Sequence, residues 1–183
     1  MKTFKPRIKA RLRKNRQVLN KNIDNFFGWI KGAKLVELKE CNTEEDPVRP
    51  ELDNEFRTGY GRKIYGVEYQ EEIHAVMCFA YTNKIPKSVE ELEKLSTDAF
   101  LQSAMRDQAG GQIAIAYTVW SKKKGGGKLI VKEVFKKIKK SNHLNRLVTL
   151  SPLTEIATKF HTRNGAKLVQ INETTQNFEY KVL

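Results

Sequence analysis

The residues best suited to chemistry in this 183-residue chain lie in one short run, Ser121-Lys122-Lys123-Lys124-Gly125-Gly126-Gly127-Lys128, which joins an apolar stretch to an amphipathic one. Three consecutive glycines let the backbone turn so that several N–H groups point into one concavity. A helix that starts directly afterwards adds the positive end of its dipole. The product is an anion cradle, and the four lysines around it favour a polyanion such as a pyrophosphate over a single carboxylate. Spacing excludes two familiar phosphate loops. A Walker A loop needs Gly five positions before Gly127 and Ser or Thr after Lys128, where this chain has Lys122 and Leu129. A dinucleotide fingerprint fails because Ile130 stands at its third glycine. On its own the run reads equally as a flexible Gly-Lys turn on the surface.

The elements that must position this loop follow from periodicity. Gln112 to Trp120 (QIAIAYTVW) is almost wholly apolar, which predicts a strand covered on both faces at the centre of a sheet. Leu129, Ile130, Val131, Val134, Phe135 and Ile138 repeat with helical period after the glycines, Arg146 to Leu150 reads as a buried strand, and Thr154 to Asn164 as a helix. Ser151-Pro152 has the form of a helix start, with Ser as N-cap and Pro in the first position, and Asn164-Gly165 that of a stop. Strands are expected at Lys167 to Ile171 and Phe178 to Val182. Upstream, Lys63 to Gln70 and Ile73 to Tyr81 predict an antiparallel hairpin. Ser88 and Glu91 form a capping box that opens a helical insert over about 88–110, with a second helical pattern from Thr97. Lys34 to Glu40 alternates like a short strand, and Asn42 to Pro50 has the acids and prolines of an exposed loop.

With 39% hydrophobic residues the chain can fill one core and is short for two. Cys41 and Cys78 are too few for a disulfide framework or a four-thiolate metal site, and the three histidines are scattered, so no metal is expected and a reducing cytoplasmic setting fits. Cys78, inside AVMCFAY, reads as a core residue rather than a nucleophile. The charged start lacks the apolar run of a signal peptide, and no stretch approaches the length of a membrane span. The net charge of +13 is unevenly placed, since residues 1–23 hold nine Lys or Arg and no acid, which leaves +4 on the remaining 160 residues. Ile8, Leu12, Leu19, Ile23, Phe26 and Ile30 make one stripe of that segment apolar, so residues 1–32 are expected as a basic amphipathic helix and 33–183 as the main domain.

Across roughly Lys63 to Leu183 the sequence resembles the GNAT N-acetyltransferase superfamily. The family's cofactor motif, Arg or Gln, two residues, Gly, one residue, Gly or Ala, is matched by Lys122-Lys123-Lys124-Gly125-Gly126-Gly127, with Lys at its first position. The resemblance assigns Lys122, Lys123, Lys124, Gly125, Gly126, Gly127 and Lys128 to the pyrophosphate of acetyl-CoA. It implies an α/β (α+β) fold with a mixed, mostly antiparallel central sheet flanked by helices. The strand, helix and Asn164-Gly165-Ala166 step downstream match in order and spacing, and KFHTRNGA looks similar to short bacteriophage-encoded members, whose setting would be the host cytoplasm.

Phe160-His161 falls where the family commonly has Phe-Tyr, the Tyr being the acid that protonates departing CoA. His161 takes that position, and its imidazolium could supply the proton near neutral pH; it reads equally as a helix-end histidine that favours the dipole. The usual carboxylate base on the central strand is missing, which leaves water, Tyr117, or an acid such as Glu68 or Asp107 to take the proton of the acceptor amine. The function implied is direct acetyl transfer from acetyl-CoA to an amine. The alternative is an inactive GNAT-like fold that binds nucleic acid through residues 1–23, whose basic face would make affinity fall steeply with salt.

Overall fold

A computed structural model describes residues 28–106 and 110–180. The chain divides into two units, Met1–Lys34 and Leu35–Leu183. In the first, residues 28–32 are helical; the basic segment 1–23 lies outside the described residues. The second carries a sheet and the helices that cover it.

The elements run β1 (Lys34–Leu38), α1 (Asn54–Thr58), β2 (Lys63–Tyr69), β3 (Glu72–Thr82), α2 (Val89–Arg106), β4 (Ile113–Ser121), α3 (Gly126–Lys139), β5 (Arg146–Thr149), β6 (Ser151–Pro152), α4 (Glu155–Arg163), β7 (Lys167–Ile171) and β8 (Thr175–Tyr180). One eight-stranded sheet has the order β1-β2-β3-β4-β5-β8-β6, with β7 also on β8. Of the strand pairs with a defined register, β4 and β5 alone are parallel. The expected mixed, mostly antiparallel sheet flanked by helices is what forms. α3, entered through Gly125, is the crossover that allows β5 to lie parallel to β4.

The apolar character of β4 has the predicted cause, since both its faces are covered. One face joins Ile64, Val76, Cys78, Ala80, Leu92 and Val148 in a buried cluster. The other receives α3, whose Leu129, Ile130, Val131, Val134 and Ile138 are buried. The capping box at α2 forms in part. Ser88 Oγ accepts from the Glu91 N–H at 3.2 Å, whereas the Glu91 carboxylate reaches one residue further back, to the Lys87 N–H at 2.7 Å. The two helical patterns expected over 88–110 are one continuous helix.

Two sequence expectations are corrected. The segment 42–50 is no exposed loop throughout: Asp46 and Arg49 are buried, because both bond to the central strand. Ser151-Pro152 is no helix start. It pairs as a two-residue strand with Gln176 and Thr175, and Thr154 is the N-cap, its hydroxyl accepting from the Ala157 N–H. Among the described residues no helix is long and apolar enough to cross a membrane.

Candidate active site

The site begins with a fault in a strand. β3 pairs Cys78 with Thr118 but Phe79 with Ala116, so Tyr117 is an extra residue in β4, a β-bulge. The bulge changes the direction of β4, and the parallel pairing with β5 stops there: it runs from Ile113 opposite Arg146 to Ala116 opposite Thr149, with a last bond from the Leu150 N–H to Ala116 O at 2.9 Å. Beyond that point β5 gives way to β6, which belongs to β8, and the two strands diverge. Arg49 fills the fork. Its Nε–H donates to Tyr117 O at 2.9 Å and its Nη2 to Leu150 O at 3.1 Å, so the two carbonyls that lose their ladder partners are satisfied by one guanidinium.

Arg49 is held by its neighbours. Asp46 Oδ1 accepts from the N–H groups of Val48 and Arg49, its carboxylate takes the Thr118 hydroxyl at 2.8 Å, and it pairs with Arg57 Nη2 at 2.9 Å with both side chains fully buried. Arg57 in turn donates to Arg49 O at 2.7 Å and Leu52 O at 2.8 Å. This network explains why the segment 42–50 is drawn in: its buried acid and arginine are hydrogen-bonding partners of the bulged strand.

The divergence of β4 and β5 encloses a cavity of about 600 Å³. Its walls come from residues 116–121 of β4, Gly127 and Val131 of α3, Thr149, Ser151, Pro152 and Thr154, Phe160 and His161 of α4, and Pro47 with Val48. Among the described residues no Asp, Glu, Lys or Arg side chain lines it. A second cleft of about 520 Å³ shares Ser121, Gly127, Ile156 and Phe160 with it and runs between the start of α3 and α4, past Lys128, Lys159 and Arg163.

The glycine run meets that second cleft. Gly125 has φ +86°, a left-handed conformation that favours glycine, and caps α3 with no side-chain bond. The Gly126 N–H bonds Lys123 O and the first helical bond is from Leu129 N–H to Gly125 O, so the Gly127 and Lys128 amides stand at the helix start without carbonyls four residues back. Gly126 is closely packed: a Cβ there would lie 3.0 Å from that of Ser121 and 3.3 Å from that of Ala75, so either neighbour would have to shift to admit one. The lysines divide. Lys122 reaches Glu45 at 2.7 Å, Lys123 Nζ sits 4.8 Å from the centre of the Tyr69 ring, and Lys124 and Lys128 lie at the surface.

His161 lies on the wall of the cavity and is buried. The Ser151 hydroxyl donates to Thr149 Oγ1 at 3.0 Å, so Ser151 accepts from His161 Nε2–H at 2.8 Å, and His161 Nδ1 accepts from the Tyr180 hydroxyl at 2.9 Å. Phe178 stacks on the imidazole with centroids 5.1 Å apart. Both ring nitrogens are thus engaged in the neutral form, and burial lowers the pKa to about 4. The imidazolium expected near neutral pH is not the resting state of this side chain.

Tyr117 supplies the bulge, while its ring belongs to the buried cluster, edge-on to Phe56 at 5.8 Å. Its hydroxyl has no hydrogen-bond partner among the described residues, and burial raises its pKa above the usual tyrosine value. Glu68 does not line the cavity, and Asp107 lies outside the described residues. Sequence reasoning missed Asp46, Arg49, Arg57, Ser151 and Tyr180. The one signal that could have found the first three was a charged cluster beside prolines, a pattern that also marks ordinary loops.

No known family's sequence pattern matches the chain, and no curated protein sequence matches it. Solved structures do. GphF, a GNAT-like decarboxylase in complex with isobutyryl-CoA, aligns with a TM-score of 0.61 at 10% identity over 82% of this chain and 100% of that one. A Bacillus subtilis acetyltransferase in complex with CoA aligns with a TM-score of 0.56 at 14% identity over 82% of this chain and 99% of that one. Malonyl-CoA decarboxylase from Agrobacterium vitis aligns with a TM-score of 0.55 at 17% identity over 74% of this chain, which spans only 38% of that protein. At such identities the likeness concerns architecture, and the chain has the GNAT fold.

Proposed function

We propose that this chain uses an acyl-CoA, acetyl-CoA first, and transfers its acyl group to an amine by direct attack. The observation that carries the reading is the fork between β4 and β5: it opens an apolar cavity that leads to the glycine-rich start of α3. The residues fit such a substrate. The Gly127 and Lys128 amides and the Lys124 and Lys128 side chains hold the pyrophosphate, aided by the helix dipole. The edge of β4 beyond its bulge lies along the pantetheine arm, and one of its backbone N–H groups polarises the thioester carbonyl.

The chemistry suits a cavity without an ionised base. When a neutral amine displaces a thiol, the C–N bond forms as the C–S bond breaks, and the proton lost by nitrogen is the one gained by sulfur. A water relay at the open mouth suffices, and neither Tyr117 nor His161 has to ionise. His161, Ser151 and Tyr180 fix the wall on which the acyl group rests.

A second reading is decarboxylation of a malonyl-type thioester, favoured by the same absence of charged lining groups. A carboxylate moved from water into an apolar site is destabilised relative to the charge-dispersed state that follows loss of carbon dioxide. The C–C electron pair stays with the thioester, and the α-carbon then takes a proton. Mass spectrometry of CoA species separates the two. Acetyl-CoA consumed only when an amine mixture is present supports transfer. Malonyl-CoA converted to acetyl-CoA with no amine present supports the second reading, and no turnover of either excludes both.

A further inference from the structure

α3 carries the anion cradle at its first turn, and a separate cavity opens at its other end. It measures about 690 Å³ and is lined by Tyr60, Tyr65, Tyr81 and Phe100 together with Lys63, Lys137, Lys140 and His143. Among the described residues no carboxylate lines it, although Lys63 pairs with Glu37 at 2.7 Å on the surface. A helix of 14 residues separates it from the cradle by about 20 Å at 1.5 Å per residue. It is therefore not an extension of the acyl-CoA cleft.

Two of its four aromatic side chains, Tyr60 and Phe100, are not spent on the core, whereas Tyr65 is buried. Tyr60 is 50% exposed and Phe100 41%, and they stand edge to face with centroids 6.2 Å apart at the mouth. Tyr60 is held there against local preference: its φ of 50° and ψ of 43° are left-handed, which a bulky residue rarely adopts. The next residue, Gly61, brings the backbone so near Phe100 that a Cβ would lie 2.9 Å from the ring. Arg62 already lies 5.5 Å from the centre of the Tyr60 ring, and a strained backbone that keeps this ring on the surface beside the exposed Phe100 points to a ligand that stacks on one of the two. Deeper in, Lys137 Nζ lies 5.3 Å from the centre of the Tyr65 ring.

Aromatic faces beside lysines, with no acid among the described residues that line the cavity, are suited to a planar base that bears a phosphate. The base would stack face-on on one of the Tyr60 and Phe100 rings and meet the other edge-on, since the two stand at 76° to each other, and the phosphate would meet Lys137 and Lys140. We propose that this cavity is a binding site for a nucleoside phosphate, either free or as one unit of a single strand. The site is independent of the acyl-CoA reading.

Calorimetric titration of the full chain with AMP and, separately, with a ten-residue oligothymidylate tests this. Three variants are run beside it: Phe100→Ala, the double variant Lys137→Gln/Lys140→Gln, and Gly127→Glu in the acyl-CoA cleft. The expected result is that at least one probe binds, that both cavity variants weaken it tenfold or more with unchanged melting temperature, and that Gly127→Glu does not. AMP binding assigns a free nucleotide, and binding of the oligonucleotide alone assigns a strand. Three results overturn the proposal: no binding of either probe at millimolar concentration, loss in Gly127→Glu, which assigns the nucleotide to the acyl-CoA cleft, and affinity indifferent to the cavity variants, which places the nucleotide elsewhere on the chain. The lysine variants are surface changes, so the test stands even where Phe100→Ala fails to fold.

Discussion

The Nε–H of Arg49 donates to the main-chain carbonyl of Tyr117 at 2.9 Å, across 68 positions of sequence, at the residue where the central strand bulges. The bond ties the opening of the cavity to a side chain outside the sheet. Arg49→Met keeps the bulk and removes the donors, leaving the carbonyls of Tyr117 and Leu150 buried with one fewer partner. A loss of about 2–3 kcal/mol of unfolding free energy is expected from charge-assisted bonds of this kind. Urea denaturation measures it. A variant as stable as the parent would show that the fork supports itself.

The buried pair of Asp46 and Arg57 is a harsher test of the same network. Asp46→Ala leaves the Arg57 guanidinium buried without its carboxylate and frees the Thr118 hydroxyl and two backbone amides. Removing one partner of such a pair costs roughly 3–5 kcal/mol, whereas an apolar replacement of both is often close to neutral. Asp46→Leu/Arg57→Met should accordingly be more stable than Asp46→Ala alone. The reverse order in urea midpoints would contradict the assignment.

His161 should make stability depend on pH. Its pKa is lowered from 6.5 to about 4 by burial, so between those values the unfolded chain binds more protons than the folded one. The contribution is complete above pH 6.5 and is lost as pH falls toward 4, in total roughly 3 kcal/mol. His161→Gln can hydrogen-bond without titrating and should lose that part of the slope. Urea unfolding at about pH 7 and about pH 4.5, on either side of most of that window, checks this. Equal slopes in parent and variant would mean that the imidazole charges freely in the folded state.

What was legible in the sequence was local. The turn at Gly125 and the stop at Asn164-Gly165 announce themselves because glycine is required by the backbone, and the central strand does so because a strand covered on both faces leaves few polar positions. The bulge at Tyr117 was hidden, since an apolar run carries no record of register. Arg49 and Asp46 were hidden because their partners lie 68 to 101 positions away. Ser151-Pro152 misled for the opposite reason. Its local pattern is that of a helix start, but pairing with β8 and the bond to His161 override it. The neutral state of His161 depends on that same burial, which residue type and position along a helix do not disclose.

The central claim, an acyl-CoA held along the fork with its pyrophosphate at the start of α3, is tested most directly by thermal unfolding of the parent, Gly127→Glu and Lys128→Glu in increasing acetyl-CoA. A Cβ at Gly127 meets Phe160 at 3.2 Å, so the change at Lys128, on the surface, serves as the variant with no steric cost. The predicted result is a rise in the parent worth about 2.7 kcal/mol at a hundredfold excess over the dissociation constant. Gly127→Glu should show no rise and Lys128→Glu a much weaker one, both folded beforehand. An unshifted parent at millimolar acetyl-CoA, or equal shifts in all three, would contradict the claim.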